Sequence, residues 1–220
     1  MTILNFIHKL RRIAGIIYRN FKFTFFQEVR RELFPPKLPK MENNKIYIHL
    51  GCGPINAPGF MNVDFLPYSH IHYIQKIEDM SIFHDEYADL IYASHVLEHI
   101  SHNDIKNVLR EWFRVLKKSG VLRISVPDFE KIINIYLSEG RDIKAIIGPL
   151  MGGQDNTYNF HKSVFDEEYL RGLLLLIGFT EVRIWEPEKV EMHSFEDWAS
   201  RPIKVNGREY PISLNIEAVK

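Results

Sequence analysis

Two glycines directly follow an apolar run near residue 50 and form the first candidate binding element. The run Ile46–Leu50 leads into Gly51-Cys52-Gly53-Pro54, which indicates a strand entering a tight turn. Because glycine lacks a Cβ atom, such a turn lets a ligand approach the bare backbone. The turn lacks the Gly-Lys-Ser/Thr of a phosphate loop and the third glycine of the dinucleotide-binding pattern. Taken alone, it is also typical of an ordinary strand-to-loop turn.

A carboxylate at the end of the next predicted strand is the second candidate. Asn62-Val63-Asp64 closes that strand, and the carboxyl ends of neighbouring parallel strands share one edge of the sheet. A carboxylate there can accept hydrogen bonds from both hydroxyls of a ribose. The alternative role for Asp64 is a turn or a helix cap. The spacing of the glycine turn and Asp64 favours a nucleoside site.

Histidines supply the candidates for proton transfer, because their pKa lies near neutrality. His95 follows a predicted strand at the same edge, and His161 lies after the loop Gly152–Asn156, which we expect to fold over the site as a lid. We favour His161 as the base, with His95 as the second candidate. Ordinary hydrogen bonding for His95 and capping of the next helix for His161 are the alternatives.

We predict no metal site. His95, Glu98 and His99 have helical spacing, but no His-Glu-x-x-His signature or further ligand stands nearby in the sequence. We therefore assign Glu98 and His99 to structure or orientation. Cys52 is the single cysteine, which excludes an intrachain disulfide and a cysteine-cluster zinc site, and fits a reducing compartment such as the cytoplasm.

Strand-like and helix-like runs alternate after residue 40, which predicts an α/β doubly wound sheet. The predicted helices are Asn103–Leu116 and Asp166–Ile177, each followed by glycine. The predicted strands are Lys45–Leu50, Met61–Phe65, His72–Ile74, Ala88–Ala93, Val121–Val126, Glu181–Trp185 and Ser213–Val219.

The N-terminal segment is a basic appendage. Apolar residues recur at three- and four-residue steps over Thr2–Phe34, which predicts an amphipathic helix too charged to span a bilayer. Its apolar face contacts either a membrane surface or protein, namely the domain or a second subunit in a homodimer. Prolines in Phe34–Pro39 then form a stiff linker. We place the appendage at residues 1–40 and one domain at residues 41–220.

Four sequence strings together resemble the class I S-adenosylmethionine-dependent methyltransferases. They are Leu50–Pro54, Asn62–Asp64, Asp89–Ile100 and Val115–Asp128. The chain is similar in particular to the small bacterial methyltransferase type 11-like group, often associated with surface-polysaccharide biosynthesis. The resemblance runs from about Lys45 to the C-terminus.

The resemblance implies a Rossmann-like, seven-stranded, mostly parallel sheet whose last strand, Ser213–Val219, inserts antiparallel. It implies S-adenosylmethionine as cofactor and assigns its contacts by position. Gly51, Cys52 and Gly53 cradle the amino-acid end, Asp64 binds the ribose, Asp79 and Met80 flank the adenine, and Ala93, Ser94 and His95 lie beside the sulfonium methyl. Only about a dozen residues separate the first two strands, so we expect a loop in place of the usual helix.

We expect O-methylation of a saccharide or glycolipid precursor, in the cytoplasm or peripheral to the inner face of the membrane. The acceptor is thus a small molecule or glycan. The alternatives are methylation of a quinone or isoprenoid lipid or another small metabolite, and a non-catalytic cofactor-binding scaffold subunit. Nucleic acid is not expected, because the formal net charge is +0 and no Asn-Pro-Pro-Tyr base pocket or basic stripe occurs in the domain.

Overall fold

The computed structural model describes residues 25–27, 29–31, 33–40, 44–155 and 158–220. Most of the predicted N-terminal helix, Thr2–Phe34, lies outside these residues, although residues 25–27, 29–31 and 33 are helical. The Arg31 guanidinium donates to the carbonyl of Ile71, and Nε2 of His72 lies 3.0 Å from the Lys37 carbonyl oxygen. The linker therefore lies against the loop that precedes the third strand. Among the helices of the described residues, none has the length and apolar character needed to cross a bilayer.

The domain contains nine strands and four α-helices among the described residues. The strands are β1 Tyr47–Leu50, β2 Met61–Asp64, β3 Tyr73–Ile74, β4 Ala88–Ser94, β5 Leu116–Pro127, β6 Thr180–Ile184, β7 Pro202–Val205, β8 Arg208–Pro211 and β9 Ser213–Val219. The helices are α1 Ile105–Val115, α2 Phe129–Ser138, α3 Ile147–Met151 and α4 Glu167–Ile177.

Seven strands form one sheet in the order β3-β2-β1-β4-β5-β9-β6. Strands β1 to β5 pair in parallel, whereas β9 is antiparallel to both β5 and β6. The predicted fold class and the inserted last strand are confirmed. Strand order reverses between β1 and β4, and the crevice at the carboxyl ends of such strands is where open α/β sheets bind ligands.

Alternating side chains of β1 and β4 face opposite sides of the sheet. On one side Ile48 and Ile91 pack with α1 and α4 in the largest apolar core. Helix α1 buries residues at three- and four-residue steps from Ile105 to Val115. One of them is Trp112, whose Nε1 donates to the Ile77 carbonyl at 2.9 Å. On the other side Leu90 and Tyr92 pack against residues from loops, chiefly Phe60, Trp185 and Phe195.

A loop connects β1 to β2, as expected from the short crossover. Residues 51–60 are turns and irregular backbone. Strand β5 differs from the prediction, since it begins at Leu116 rather than Val121. Leu116 pairs with Ala88 across a register shift, so Gly120 lies inside the strand rather than at the end of α1.

A hairpin of β7 and β8 was not predicted. It packs through Val205 against Ile132 and Ile135 of α2, together with Ile212. Helix α2 begins after Asp128, whose side chain accepts from the Glu130 and Lys131 amides. Ile203 of the hairpin and Ile212 beside it line the second of the two clefts described below.

Candidate functional site

Two hydrogen bonds fix the glycine turn to the second strand, and a third joins it to the loop after that strand. The Gly51 amide donates to the Val63 carbonyl at 2.8 Å, and the Gly53 amide donates to Oδ2 of Asp64 at 2.8 Å. Nε2 of His70 lies 3.1 Å from the Gly53 carbonyl oxygen. His70, which the sequence reasoning missed, thus braces the turn from the loop after β2.

The two glycines of the turn have different packing. Both have left-handed φ values, +60° at Gly51 and +53° at Gly53. A Cβ atom on Gly51 would lie 2.6 Å from Cγ2 of Val96, whereas one on Gly53 would meet nothing within 4 Å. Gly51 is therefore required both by its backbone conformation and by its contact with the segment after β4.

Asp64 occupies the predicted position at the end of β2 and is 8% exposed. Its Oδ1 accepts from the Leu66 amide at 2.7 Å, while Oδ2 holds Gly53. Burial raises the pKa of Asp64, and the backbone hydrogen bonds oppose that shift. Each carboxylate oxygen retains a second lone pair, so Asp64 can hold the turn and still accept from a ligand. Cys52 is buried beside it, and burial raises the pKa of its thiol.

A cleft of about 410 Å³ opens at the carboxyl ends of β1, β2 and β4. We name it the first cleft, and its volume lies in the range of small-molecule sites. Of the residues predicted to contact the cofactor, Gly51, Asp64 and His95 line it. Further lining residues are Phe65, Leu66, Lys76, Ile77, Glu78, Val96, His99, Ile100, Tyr158, Asn159 and Lys162.

Neither residue of the predicted adenine contact, Asp79 or Met80, lines the first cleft. Met80 is 0% exposed and belongs to the apolar core. Asp79 is exposed, and its Oδ1 accepts from the Ser81 amide at 3.0 Å. The turn after β3 instead presents Ile77 and Glu78 to the first cleft. Adenine contacts at Asp79 and Met80 stay a prediction.

His95 stands at the end of β4, directly after Ser94. It has a left-handed φ of +52°, and its amide donates to the Ser125 carbonyl of β5 at 2.8 Å. Nε2 lies 2.8 Å from Oγ of Ser213, and Nδ1 lies 3.3 Å from Oε1 of Glu98. Ser213, at the start of β9, holds the ring from a part of the chain that the sequence reasoning had not linked to the site.

A second cleft, of about 360 Å³, adjoins the first. The two share His95, His99 and Asn159. The other lining residues of the second cleft are Glu98, Pro127, Gly148, Pro149, Gly152, Gly153, His161, Trp198, Ile203 and Ile212. Gly152 and Gly153 of the predicted lid therefore line this cleft, together with Asn159 and His161 from the residues that follow it.

His161 projects into the second cleft with a defined ring orientation. Nδ1 lies 3.0 Å from the Pro149 carbonyl oxygen, and Nε2 lies 4.0 Å from Oε1 of Glu98. Burial lowers the pKa of His161. Asp166, rather than His161, caps α4, so the capping alternative for His161 is wrong.

Glu98 is a buried carboxylate surrounded by imidazoles. It is 1% exposed, and neither carboxylate oxygen has a hydrogen-bond partner among the described residues. Burial opposes its charge, but the neighbouring His95, His99 and His161 lower the pKa of Glu98 overall. The sequence placed Glu98 beside His95 and His99, whereas His161 joins them only through folding.

Comparisons with known proteins match this part of the chain. A family model described as a methyltransferase domain matches residues 64–124, from Asp64 into β5. The ubiquinone/menaquinone biosynthesis C-methyltransferase UbiE of Vibrio vulnificus strain YJ016 is 29% identical over 117 residues, which cover 50% of this chain and 44% of that protein. The chain therefore spans less than half the length of this curated relative.

Solved structures share the fold at low sequence identity. A SAM-dependent methyltransferase from Archaeoglobus fulgidus has a TM-score of 0.51 and 17% identity, covering 93% of this chain and 99% of that one. A SAM-dependent methyltransferase from Methanosarcina mazei has a TM-score of 0.52 and 15% identity, covering 82% and 94%. Both likenesses extend over most of each chain and concern the fold.

Proposed function

We propose that this chain, which belongs to the class I S-adenosylmethionine-dependent methyltransferases, transfers a methyl group from S-adenosylmethionine to a small-molecule acceptor. The observation that carries the proposal is the meeting of two clefts at His95, His99 and Asn159. One cleft holds the glycine turn and Asp64, and the other is lined by histidines. A donor in the first cleft and an acceptor in the second would meet at this shared wall.

The first cleft has features that suit the donor. The close packing of Gly51 on Val96 leaves the turn's backbone as the surface for the amino-acid end. The free lone pairs of Asp64 suit the ribose hydroxyls, and Ile77 and Glu78 lie where the adenine would extend. The sulfonium makes the methyl group reactive when the cofactor is bound, so the protein's main contribution is to position the two reactants.

The acceptor's proton has two candidate destinations. His95 lines both clefts, so it borders the proposed donor and the proposed acceptor. The Nδ1 of His161 faces a carbonyl, which can only accept, so this nitrogen carries the proton. Nε2 of His161 is then unprotonated and can serve as a base. We therefore propose His95 and His161 as the two candidate bases.

For the acceptor, we favour a hydroxylated aromatic ring of the quinone-precursor type over the saccharide expected from the sequence. The matched curated relative is a quinone-biosynthesis C-methyltransferase. Trp198, Ile203 and Ile212 line one part of the second cleft and suit an apolar ring. Deprotonating a ring hydroxyl places charge on the ring carbons, which supports C-methylation as well as O-methylation.

A saccharide hydroxyl remains the second candidate acceptor. The observation that favours it is the polar wall of the second cleft, where Asn159 stands beside His95, His99 and His161. Such groups can hydrogen-bond several hydroxyls of one sugar. His95 and His161 would serve as proton acceptors for a saccharide hydroxyl as well as for a ring hydroxyl.

We propose separate roles for residues 1–40 and the domain at 41–220. The basic amphipathic segment would bring the domain to a membrane surface or a second subunit. A chain lacking residues 1–40 should keep cofactor affinity and lose vesicle binding or self-association. Loss of complex assembly, with no methyl transfer by the full chain to any acceptor tested, would favour the scaffold alternative.

The proposed activity is tested with methyl-labelled S-adenosylmethionine and matched acceptor panels. One panel contains hydroxylated quinone precursors, and the other contains nucleotide sugars and lipid-linked saccharides. We expect label in an aromatic product, with no transfer by the His95→Ala variant. Transfer only to saccharides would overturn the acceptor assignment. Absence of transfer to every acceptor, despite cofactor binding, would overturn the catalytic proposal.

A further inference from the structure

We propose that Glu98, His99 and His161 bind a divalent transition-metal ion at the wall between the two clefts. One ligand atom from each residue can be chosen so that all three lie within 4.8 Å of one another. Two imidazoles and one carboxylate form a donor set suited to Zn²⁺, Mn²⁺ or Fe²⁺. This differs from the expectation of no metal, which rested on the absence of a further ligand near Glu98 in the sequence.

The two imidazoles are oriented as metal ligands are. Nδ1 of His99 lies 3.2 Å from the Phe160 carbonyl oxygen, and Nδ1 of His161 lies 3.0 Å from that of Pro149. A carbonyl can only accept, so each Nδ1 carries its ring's proton and each Nε2 keeps a lone pair. Metal-binding histidines characteristically donate their other nitrogen to a backbone carbonyl or carboxylate in this way.

The spacing across the cluster also suits an ion. Nε2 of His161 lies 4.0 Å from Oε1 of Glu98. Ligand bonds of about 2.0–2.2 Å place neighbouring ligand atoms roughly 3–4 Å apart in a tetrahedral site. A small inward movement of either side chain therefore suffices for both to bind one ion.

Glu98 supplies an independent observation. Its carboxylate is 1% exposed, and neither oxygen makes a hydrogen bond of regular geometry among the described residues, although Nδ1 of His95 lies 3.3 Å from Oε1. A buried carboxylate without such hydrogen bonds is strongly destabilising unless a positive charge lies beside it. A positive charge beside Glu98 would therefore stabilise this buried carboxylate, and Nε2 of His161 lies 4.0 Å from its Oε1.

His95 defines the competing arrangement. Oγ of Ser213 donates to the Trp198 carbonyl at 2.6 Å, so it accepts from Nε2 of His95. Nδ1 of His95 then faces Glu98 at 3.3 Å and carries a proton only if the ring is an imidazolium. A proton on His95 would satisfy Glu98 without a metal ion. The experiment below separates the two arrangements.

An ion at this cluster would border the second cleft, where it could bind a hydroxyl oxygen of the acceptor and lower that hydroxyl's pKa. His161 would then be a ligand, and the ion would take over the activation otherwise assigned to a base. The role of the ion in activating the acceptor rests on the proposed function. Binding of the ion itself does not.

The test is calorimetric titration of the chelator-treated full chain with Zn²⁺ alone and with Mn²⁺ alone. We expect one ion per chain for at least one metal, and at least a tenfold rise in Kd for His99→Ala and for His161→Ala. His102→Ala is the matched control, because His102 is exposed and is not one of the three proposed ligands; it should bind as the wild type does. X-ray absorption of the Zn²⁺ form should show two imidazole ligands.

Absence of binding up to millimolar metal, or equal weakening by all three histidine variants, would overturn the site. A sulfur ligand in the absorption spectrum would also overturn it, by pointing to Cys52. Binding of S-adenosylhomocysteine is measured on the same samples. Intact S-adenosylhomocysteine binding without metal binding refutes the metal site alone, whereas the reverse result refutes the proposed function alone.

Discussion

Replacing Gly51 with alanine should damage the glycine turn more than the same change at Gly53. Both positions have left-handed φ values, so alanine costs roughly 1–2 kcal/mol at either one. At Gly51 the added Cβ would also lie 2.6 Å from Cγ2 and 2.8 Å from Cγ1 of Val96. Overpacking of this kind costs about 1–3 kcal/mol.

We therefore expect Gly51→Ala to lower the free energy of unfolding by about 2–5 kcal/mol, and Gly53→Ala by about 1–2 kcal/mol. Urea denaturation of each variant measures the difference. Because the turn must shift to accommodate the methyl group, Gly51→Ala should also raise the Kd for S-adenosylhomocysteine by more than about tenfold. Calorimetry on the folded variant measures that change.

A double-mutant cycle with Val96→Ala isolates the steric contribution. Removing the valine methyl groups should relieve the clash, so that the two changes together cost about 1–3 kcal/mol less than their sum. Equal effects of Gly51→Ala and Gly53→Ala, or strict additivity with Val96→Ala, would refute the close packing of Gly51 on Val96.

Two further predictions concern the half-buried His161 and the buried His49. His161→Ala should lower the methyl-transfer rate by about 10²–10⁴-fold while leaving the Kd for S-adenosylhomocysteine unchanged, and an unchanged rate would remove His161 from the chemistry. Burial lowers the pKa of His49 to about 3 from 6.5, so the unfolded chain binds its proton first on acidification and stability falls between those pH values. Between pH 6.5 and pH 5, the free energy of unfolding should fall by about 2 kcal/mol more for the wild type than for His49→Phe. Urea denaturation of both proteins at both pH values measures these changes, and an equal fall for the two proteins would contradict the prediction.

The sheet was predictable because its strands are short apolar runs bounded by turn residues. Ser213–Val219 was predicted with the observed bounds, and its antiparallel insertion followed from the family resemblance. The β7–β8 hairpin was missed although Asn206-Gly207 is a strong hairpin signal. Both residues have the positive φ values that such a turn needs, +47° and +81°.

The site was predictable where function depends on strand ends. Gly51, Asp64 and His95 each lie at or just after a parallel strand, so topology alone brings them to one cleft. The contacts that loops make in the site could not be predicted from sheet topology. The lining of the first cleft by Ile77 and Glu78 depends on the path of the turn after β3, and the approach of His161 to Glu98 depends on the path of a distant segment.

The most direct test of the proposed cofactor site is calorimetric titration of S-adenosylhomocysteine into the wild type, Asp64→Ala and Asp79→Ala. Asp64 supports the turn and lines the first cleft, whereas Asp79 is exposed and does not line it. We predict one site per chain in the wild type, a Kd raised by about 10- to 150-fold in Asp64→Ala, and an unchanged Kd in Asp79→Ala. Absence of binding by the wild type, or equal Kd values for Asp64→Ala and Asp79→Ala, would contradict the placement of the cofactor in the first cleft.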